Sequence, residues 1–264
     1  MNSKLPLLAV VPAVLAVVSW TLDAVLHHPN VALSETVAGT AALICLAILW
    51  LRPPARPAVW FLVAAFGLSI AGDLALTFRT SDTGFIVGIG FFLLAHLGFL
   101  TYAMKRVKFS WARAGIVAVP FLVLYFAVFL PSQGLRGSPA LAAAVLAYLL
   151  VSCVSLAASI DVKSHSPARW IYTIGIVSLV VSDALIAFDD FLGVTSVGPW
   201  IMPLYYLCHV LVVVSVTLEY SFGISTPTFT TRTHNMGVPS VNLDHALQLA
   251  GELDDQAMLD RRAD

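Results

Sequence analysis

Long apolar runs separated by short polar breaks make up the first 222 residues of the chain. A helix that crosses the hydrocarbon core of a bilayer needs roughly 20 mostly apolar residues. Eight runs meet this requirement, at about 5–26, 32–51, 58–78, 84–105, 113–131, 138–160, 168–189 and 197–222. The breaks contain residues that stop helices, such as Pro53-Pro54 and Ser166-Pro167. The pattern predicts an all-α polytopic membrane protein, with a bundle of about eight transmembrane helices over residues 1–222.

The composition supports the same class. Of 264 residues, 59% are hydrophobic and 11% are charged, whereas a soluble domain carries about 25% charged residues. The chain therefore has too few polar groups to cover a globule in water. A net charge of -1 gives no basic surface for nucleic acid, so we expect no nucleic-acid partner. Two of the three cysteines, Cys45 and Cys153, lie inside apolar runs, which indicates buried thiols rather than a disulfide framework.

The distribution of Lys and Arg predicts the topology. Nine of these residues lie at the N-terminus or in the even-numbered connections, and only Arg79 and Arg136 lie in the odd-numbered ones. Under the positive-inside rule both termini are cytoplasmic, in a membrane that we expect to be a bacterial plasma membrane. Residues 223–264 are rich in polar residues and are predicted to form a cytoplasmic tail, largely disordered or weakly amphipathic. The sequence makes no prediction of the oligomeric state.

Two aspartates lie within the predicted spans. Asp73 follows Gly72 in the third run, and Asp183 follows Ser182 in the seventh. Both runs are predicted to cross the membrane in the same direction, and each Asp is about 15 residues along its run, so the two should lie at one depth. A carboxyl group at mid-membrane costs about 2.5–3.5 kcal/mol on insertion scales and is normally buried and functional. Structural bonding to a neighbouring helix is the alternative role.

Other polar or aromatic side chains occur inside the predicted spans, with His96 and His209 near the middles of the fourth and eighth. They are candidates to bind or position a substrate, with core packing as the alternative, and comprise Ser69, His96, Tyr148, Ser182, Tyr206 and His209. Tyr206 and His209 are three residues apart and share a helix face. A few convergent polar groups within apolar walls are typical of a small-molecule pocket. Asp189 and Asp190 end the seventh run, where we expect them to be solvated.

These motifs together resemble a known family. Gly72-Asp73, the run from Phe91 to His96, Ala147-Tyr148, Ser182-Asp183 and the run from Pro203 to Tyr206 are similar to motifs of the YhhN family of eight-span membrane proteins. The characterised members of that family are lysoplasmalogenases. The resemblance implies an integral-membrane hydrolase that cleaves the vinyl ether bond of a lysoplasmalogen. The products would be a fatty aldehyde and a glycerophosphocholine or glycerophosphoethanolamine.

The implied chemistry assigns a role to the two aspartates. A vinyl ether hydrolyses when its β-carbon is protonated, which gives an oxocarbenium ion that water attacks. The reaction requires one carboxylic acid that is protonated near neutral pH and one carboxylate that stabilises the cation or activates water. The resemblance therefore implies that Asp73 and Asp183 are catalytic, with no metal and no cofactor, and that the substrate is a lysolipid from the bilayer.

Two other function classes remain open on the sequence. The aspartates and histidines are ligand types that suit zinc, which would make the protein a metal-dependent intramembrane lipid hydrolase. The Asp pair is also typical of proton-coupled transporters, and a weak similarity between the two halves, offset by about 110 residues, favours a repeat of the kind that transporters use. The chain contains no GxSxG, HExxH, Walker or CxxC motif, and no Lys inside a predicted span apart from Lys105 at the very end of the fourth run.

Overall fold

The computed structural model describes residues 10–15, 17–18, 21, 31–51, 57–78, 82–107, 109–163 and 166–222. Within these residues the chain is helical and contains no strand. Seven long helices follow one another: α1 (Val31–Leu51), α2 (Val59–Thr77), α3 (Asp82–Met104), α4 (Trp111–Leu124), α5 (Pro139–Ile160), α6 (Ser166–Leu192) and α7 (Gly198–Phe222).

Among the described residues, six helical segments are long and apolar enough to cross a membrane. They are Val59–Thr77, Thr83–Met104, Trp111–Phe129, Pro139–Ile160, Pro167–Leu192 and Thr195–Ser221. They coincide with six of the eight predicted runs. The predicted run at 32–51 falls on α1, of which Gly39–Leu51 forms a shorter apolar helix. Most of the run at 5–26, and the predicted tail at 223–264, lie outside the described residues. The protein is an all-helical integral membrane protein.

Local sequence explains where several helices begin and end. The Ser110 hydroxyl accepts a hydrogen bond from the backbone N–H of Arg113 at the start of α4, and Ser138 does the same for Leu141 at the start of α5. These caps satisfy backbone donors that have no partner inside the helix. Gly193, with φ of 67°, ends α6 in the left-handed conformation that glycine adopts at low cost.

The fourth helix contains an irregular turn. Pro120 lies inside α4, and Tyr125–Phe129 continue the helix as a π-helical turn. The Tyr125 hydroxyl donates to the carbonyl of Ala142 on α5 at 2.7 Å, which ties this turn to its neighbour. Such turns widen the helix locally and occur often beside functional sites.

Two hairpins dominate the packing. α2 packs along α3, and α6 packs along α7, while α3 also contacts α5 and α1 contacts both α2 and α7. The α2–α3 contact is close because Gly98 has no side chain: a Cβ atom there would lie 2.9 Å from the backbone oxygen of Phe61. Cys45 and Cys153 are buried and form no disulfide, so the prediction of buried thiols is confirmed, and Cys208 is buried as well.

Candidate active site

Asp183 and His96 form a polar pair between α6 and α3. The Asp183 Oδ2 atom lies 3.1 Å from His96 Nε2. The side chain of His96 is 1% exposed and that of Asp183 is 13% exposed. The Tyr148 ring of α5 meets the His96 ring edge-on, with 5.1 Å between the ring centroids, and the Tyr148 hydroxyl interacts with the Asp183 carboxyl. Since either partner can donate the hydrogen bond, the pair can hold one proton between an imidazole and a carboxyl group.

Asp73 and Tyr205 form a second pair, between α2 and α7. The Tyr205 hydroxyl donates a hydrogen bond to Asp73 Oδ2 at 2.8 Å. Ser69 is buried one turn before Asp73 and interacts with the same Tyr205 hydroxyl. The Tyr205 ring is itself buried, so its hydroxyl is fixed on the carboxyl group by the surrounding helices.

Gly72 places an aromatic ring beside this second pair. A Cβ atom at position 72 would lie 2.8 Å from the ring of Phe92, which is too close for any other residue without a shift of that ring. Phe92 also meets Tyr205 edge-on, with 6.3 Å between the centroids. The Gly72-Asp73 motif therefore combines a carboxyl group with the space that the neighbouring aromatic side chain needs.

The two pairs connect the hairpins crosswise. Asp73 lies on the first helix of the α2–α3 hairpin and is bonded to α7, whereas Asp183 lies on the first helix of the α6–α7 hairpin and is bonded to α3. Each hairpin thus supplies one aspartate and the hydrogen-bond partner of the other aspartate. The two hairpins therefore carry their aspartates and partner residues in the same order, as expected if the bundle contains a repeat of four helices.

A cavity of about 270 Å³ lies between the two pairs, and we call it the acidic cavity. Its walls include Asp73, Asp183, Asp189, Asp190 and Tyr205. None of the described residues that line it is a Lys, Arg or His. Both intramembrane carboxyl groups therefore line one space that is large enough for a small polar group and several water molecules.

Two smaller cavities are also lined by Asp183. The middle cavity, of about 60 Å³, has Leu76, Phe92, Asp183 and Ile186 in common with the acidic cavity. The other, also of about 60 Å³, is lined by Phe121, Leu124 and Leu149 among others, and we call it the chain cavity. It has Val145, Tyr148, Asp183 and Ala187 in common with the middle cavity. Most of the walls of both are apolar. Asp183 is therefore the residue at which a polar space and two apolar spaces meet.

The structure brings together some of the predicted site residues and separates others. Asp73, Asp183 and Tyr148 line cavities, and Ser69 and His96 contact the polar groups that do so. Ser182 is buried and donates to the carbonyl of Ile201, so its hydroxyl is used in helix packing.

His209 and Tyr206 lie outside the walls of the three cavities. His209 Nδ1 is 2.9 Å from the carbonyl oxygen of Tyr205 in its own helix, and its ring stacks on Phe66 with 4.5 Å between the centroids. Tyr206 is buried in the main apolar core. Both residues support the helix that carries Tyr205.

Sequence reasoning missed Tyr205 and Phe92 as site residues. The sequence signal that could have found Tyr205 is its spacing: it lies one turn before the candidate residue His209 and therefore shares a helix face with it. Asp189 and Asp190 were expected only to be solvated, and the structure places both in the wall of the acidic cavity. In the described part of the chain, no three His, Cys, Asp or Glu side chains gather as a ligand set for a metal ion.

An all-helical membrane bundle with two carboxyl groups in one cavity defines a polytopic membrane protein with an intramembrane acidic site. Residues 34–216 match the YhhN family, and the chain belongs to that family. The matched range contains both aspartates and both of their hydrogen-bond partners.

Matches to curated proteins are short. The chain is similar to two proteins described as "Putative antitoxin VapB37" from Mycobacterium tuberculosis, strains CDC 1551 / Oshkosh and ATCC 25618 / H37Rv. In each case 56% of residues are identical over 34 residues, which is 13% of this chain and 40% of the relative. The chain therefore spans less than half the length of these relatives. No solved structure matches the chain.

Proposed function

We propose that the protein is an integral-membrane hydrolase of the lysoplasmalogenase type, which cleaves the vinyl ether bond of lysoplasmalogens. The observation that carries the proposal is that Asp73 and Asp183 line one cavity and that each carboxyl group is bonded to a Tyr or a His. Family membership supports the same class of activity. The products are a fatty aldehyde and the glycerophospho-base that carried it.

The two pairs suit different steps. Asp183 and His96 share a proton, and this pair protonates the β-carbon of the vinyl ether, which leaves an oxocarbenium ion. Asp73, whose carboxylate accepts the Tyr205 hydrogen bond, stabilises the cation and takes a proton from the attacking water. The water oxygen bonds to the cationic carbon. The resulting hemiacetal gives its hydroxyl proton to the Asp183–His96 pair and breaks its bond to the glycerol oxygen, which receives the proton held by Asp73. The aldehyde then leaves, and both carboxyl groups are back in their starting states.

The proposal includes a membrane arrangement. The chain crosses a bacterial plasma membrane eight times, with both termini and the tail at residues 223–264 in the cytoplasm. The bias of Lys and Arg towards the even-numbered connections supports this orientation. Reporter fusions to the N-terminus, to the C-terminus and to the connection near Arg136 test it, and a reporter that is active outside the cell at either terminus would contradict it.

The deciding experiment measures aldehyde release from a lysoplasmalogen by the full chain purified in detergent. Parallel samples contain EDTA or the Asp73→Asn variant, and a saturated alkyl-ether lysolipid of equal length serves as the control substrate. We expect aldehyde with and without EDTA, none from the variant and none from the saturated ether. A folded protein that releases no aldehyde would refute the proposal, and activity lost in EDTA and restored by zinc would indicate a metal-dependent hydrolase.

A further inference from the structure

The three cavities lie around one stretch of α6. The acidic cavity contacts α6 at Asp183, Ile186, Asp189 and Asp190. The chain cavity contacts the same helix at Val180, Asp183, Ala184 and Ala187, so the two cavities overlap in level and touch different faces of α6. Asp183 is the wall residue that these two cavities have in common, and the polar space and the apolar space therefore adjoin at its carboxyl group.

The chain cavity has the character of a hydrocarbon site. Phe121, Leu124 and Phe129 form one wall, from α4 and its π-helical turn, and Leu149 lies in the opposite wall on α5. The Ser152 hydroxyl in the wall donates to the carbonyl of Tyr148, so it offers no free donor to a ligand. Apolar cavities of this kind stay dry and take apolar ligands. At roughly 10–15 Å³ for each water-sized group, the cavity holds about four to six methylene groups.

The middle cavity borders both of the others. It has wall residues in common with each neighbour, and Asp183 lines all three cavities. A ligand with one hydrocarbon chain and a head that ends in an ammonium group suits these adjoining spaces, with the ammonium group among the carboxyl groups. The bond between head and chain then lies at Asp183.

We propose that the chain cavity is the subsite for the hydrocarbon chain of the substrate and that its walls determine the preferred chain length. The substrate is accordingly a single-chain amphiphile, and the bond that reacts is the one at the junction of head and chain. The identity of the bond that reacts rests on the proposed function. The chain subsite does not, because binding of a hydrocarbon chain can be measured without any reaction. Leu149 and Phe121 are the specificity-determining residues that the geometry selects.

Binding of non-cleavable ligands tests the subsite without any chemistry. The full chain in one detergent is titrated with saturated alkyl-ether lysophospholipids whose chains increase from hexyl to hexadecyl, and affinities are measured by native mass spectrometry. Ethyl and butyl ethers extend the series below hexyl, because the cavity holds only about four to six methylene groups. In the unmodified protein we expect affinity to rise about fourfold per methylene until the cavity is full, and then to level off.

Two variants on neighbouring positions of α5 form a matched pair. Leu149→Trp fills the chain cavity, and affinity should level off several methylenes earlier than in the unmodified protein. Leu150→Trp makes the same change on a side chain that is 41% exposed on the bundle surface, and it should keep the unmodified length dependence. Identical length dependences in the two variants would overturn the proposal.

A third variant gives a result that misfolding cannot produce. Phe121→Ala enlarges the cavity, and we expect affinity to keep rising for chains longer than those that fill the unmodified protein. An unchanged levelling-off point in Phe121→Ala would contradict the proposal. If the length dependence follows these expectations but no aldehyde forms from a vinyl ether, the proposed reaction fails while the chain subsite stands.

Discussion

The acids at the two ends of the helical bundle have different surroundings. At the acidic end, defined by Asp73, Asp183, Asp189 and Asp190, the carboxyl groups line an open cavity, and the two intramembrane ones are bonded to Tyr205 and His96. At the ion-pair end, Glu219 on α7 contacts Arg106, just beyond α3.

At the ion-pair end, both carboxylate oxygens of Glu219 accept hydrogen bonds. Arg106 Nη1 lies 2.5 Å from both carboxylate oxygens of Glu219, and the Tyr102 hydroxyl also donates to Glu219 at 3.3 Å. Burial lowers the pKa of Arg106, but Tyr102 and Glu219 raise it and prevail, so the pKa lies above its ordinary value and the guanidinium stays charged. The comparison teaches that a carboxyl group bonded to a Tyr or a His beside an open cavity is available for proton chemistry, whereas a carboxylate neutralised by a fixed cation is structural.

The largest effect on activity is expected when the two hydrogen-bonded aspartates of the acidic end are changed to amides. Asp73→Asn and Asp183→Asn should each reduce the rate of aldehyde release by at least about 10²–10⁴-fold, because each removes an acid or base from the reaction. Both variants should keep a cooperative thermal transition near that of the unmodified protein. Near-normal turnover in either variant would exclude that aspartate from the mechanism.

The same chemical change at the other end should act on stability instead. Glu219→Gln leaves the buried Arg106 guanidinium without its counter-ion, and removing one partner of a buried pair costs about 3–5 kcal/mol. We expect a clear fall in the unfolding temperature, while aldehyde release per folded molecule stays close to normal. A variant as stable as the unmodified protein but inactive would reverse the assignment of the two ends.

A smaller effect on activity is expected when the packing between Gly72 and Phe92, beside the acidic cavity, is disturbed. Gly72→Ala forces the Phe92 ring away from α2 and into the cavities that it lines, at a cost of about 1–3 kcal/mol for overpacking. The rate of aldehyde release should fall by about tenfold or more. Gly90→Ala on α3 is the matched control, because a Cβ atom there meets nothing within 4 Å, and it should be neutral or slightly stabilising.

The smallest effect is expected at His209, which lies outside the walls of the described cavities. His209→Gln should change turnover by about threefold or less, since the ring packs on Phe66 and bonds within its own helix. His96→Gln should instead reduce turnover by roughly tenfold or more, because it removes the partner that shares a proton with Asp183. Equal losses in the two variants would mean that His209 acts on the substrate after all.

The sequence alone predicted the helical membrane class, six of the spans and the position of both aspartates within those spans. These follow from strong physical signals: apolar runs of spanning length, and the cost of a carboxyl group in hydrocarbon.

The choice between neighbouring side chains could not be predicted in the same way. Tyr205 and Tyr206 are adjacent on α7, and only the rotation of that helix about its axis determines which hydroxyl meets Asp73. That rotation is set by packing against several helices at once, including the stacking of Phe66 on His209. The π-helical turn at Tyr125–Phe129 was missed for a related reason, since its apolar composition is that of any other turn of the span.

The crosswise bonding of the two hairpins has a consequence for biosynthesis. The chain is made from the N-terminus, so α2 enters the membrane long before α7, and Tyr205 follows Asp73 by 132 positions. His96 precedes Asp183 by 87 positions and likewise has no counterpart until α6 is made. Neither half of the bundle contains both members of either pair. Two separately expressed halves should each be inactive, and activity should return only when both are produced in the same membrane.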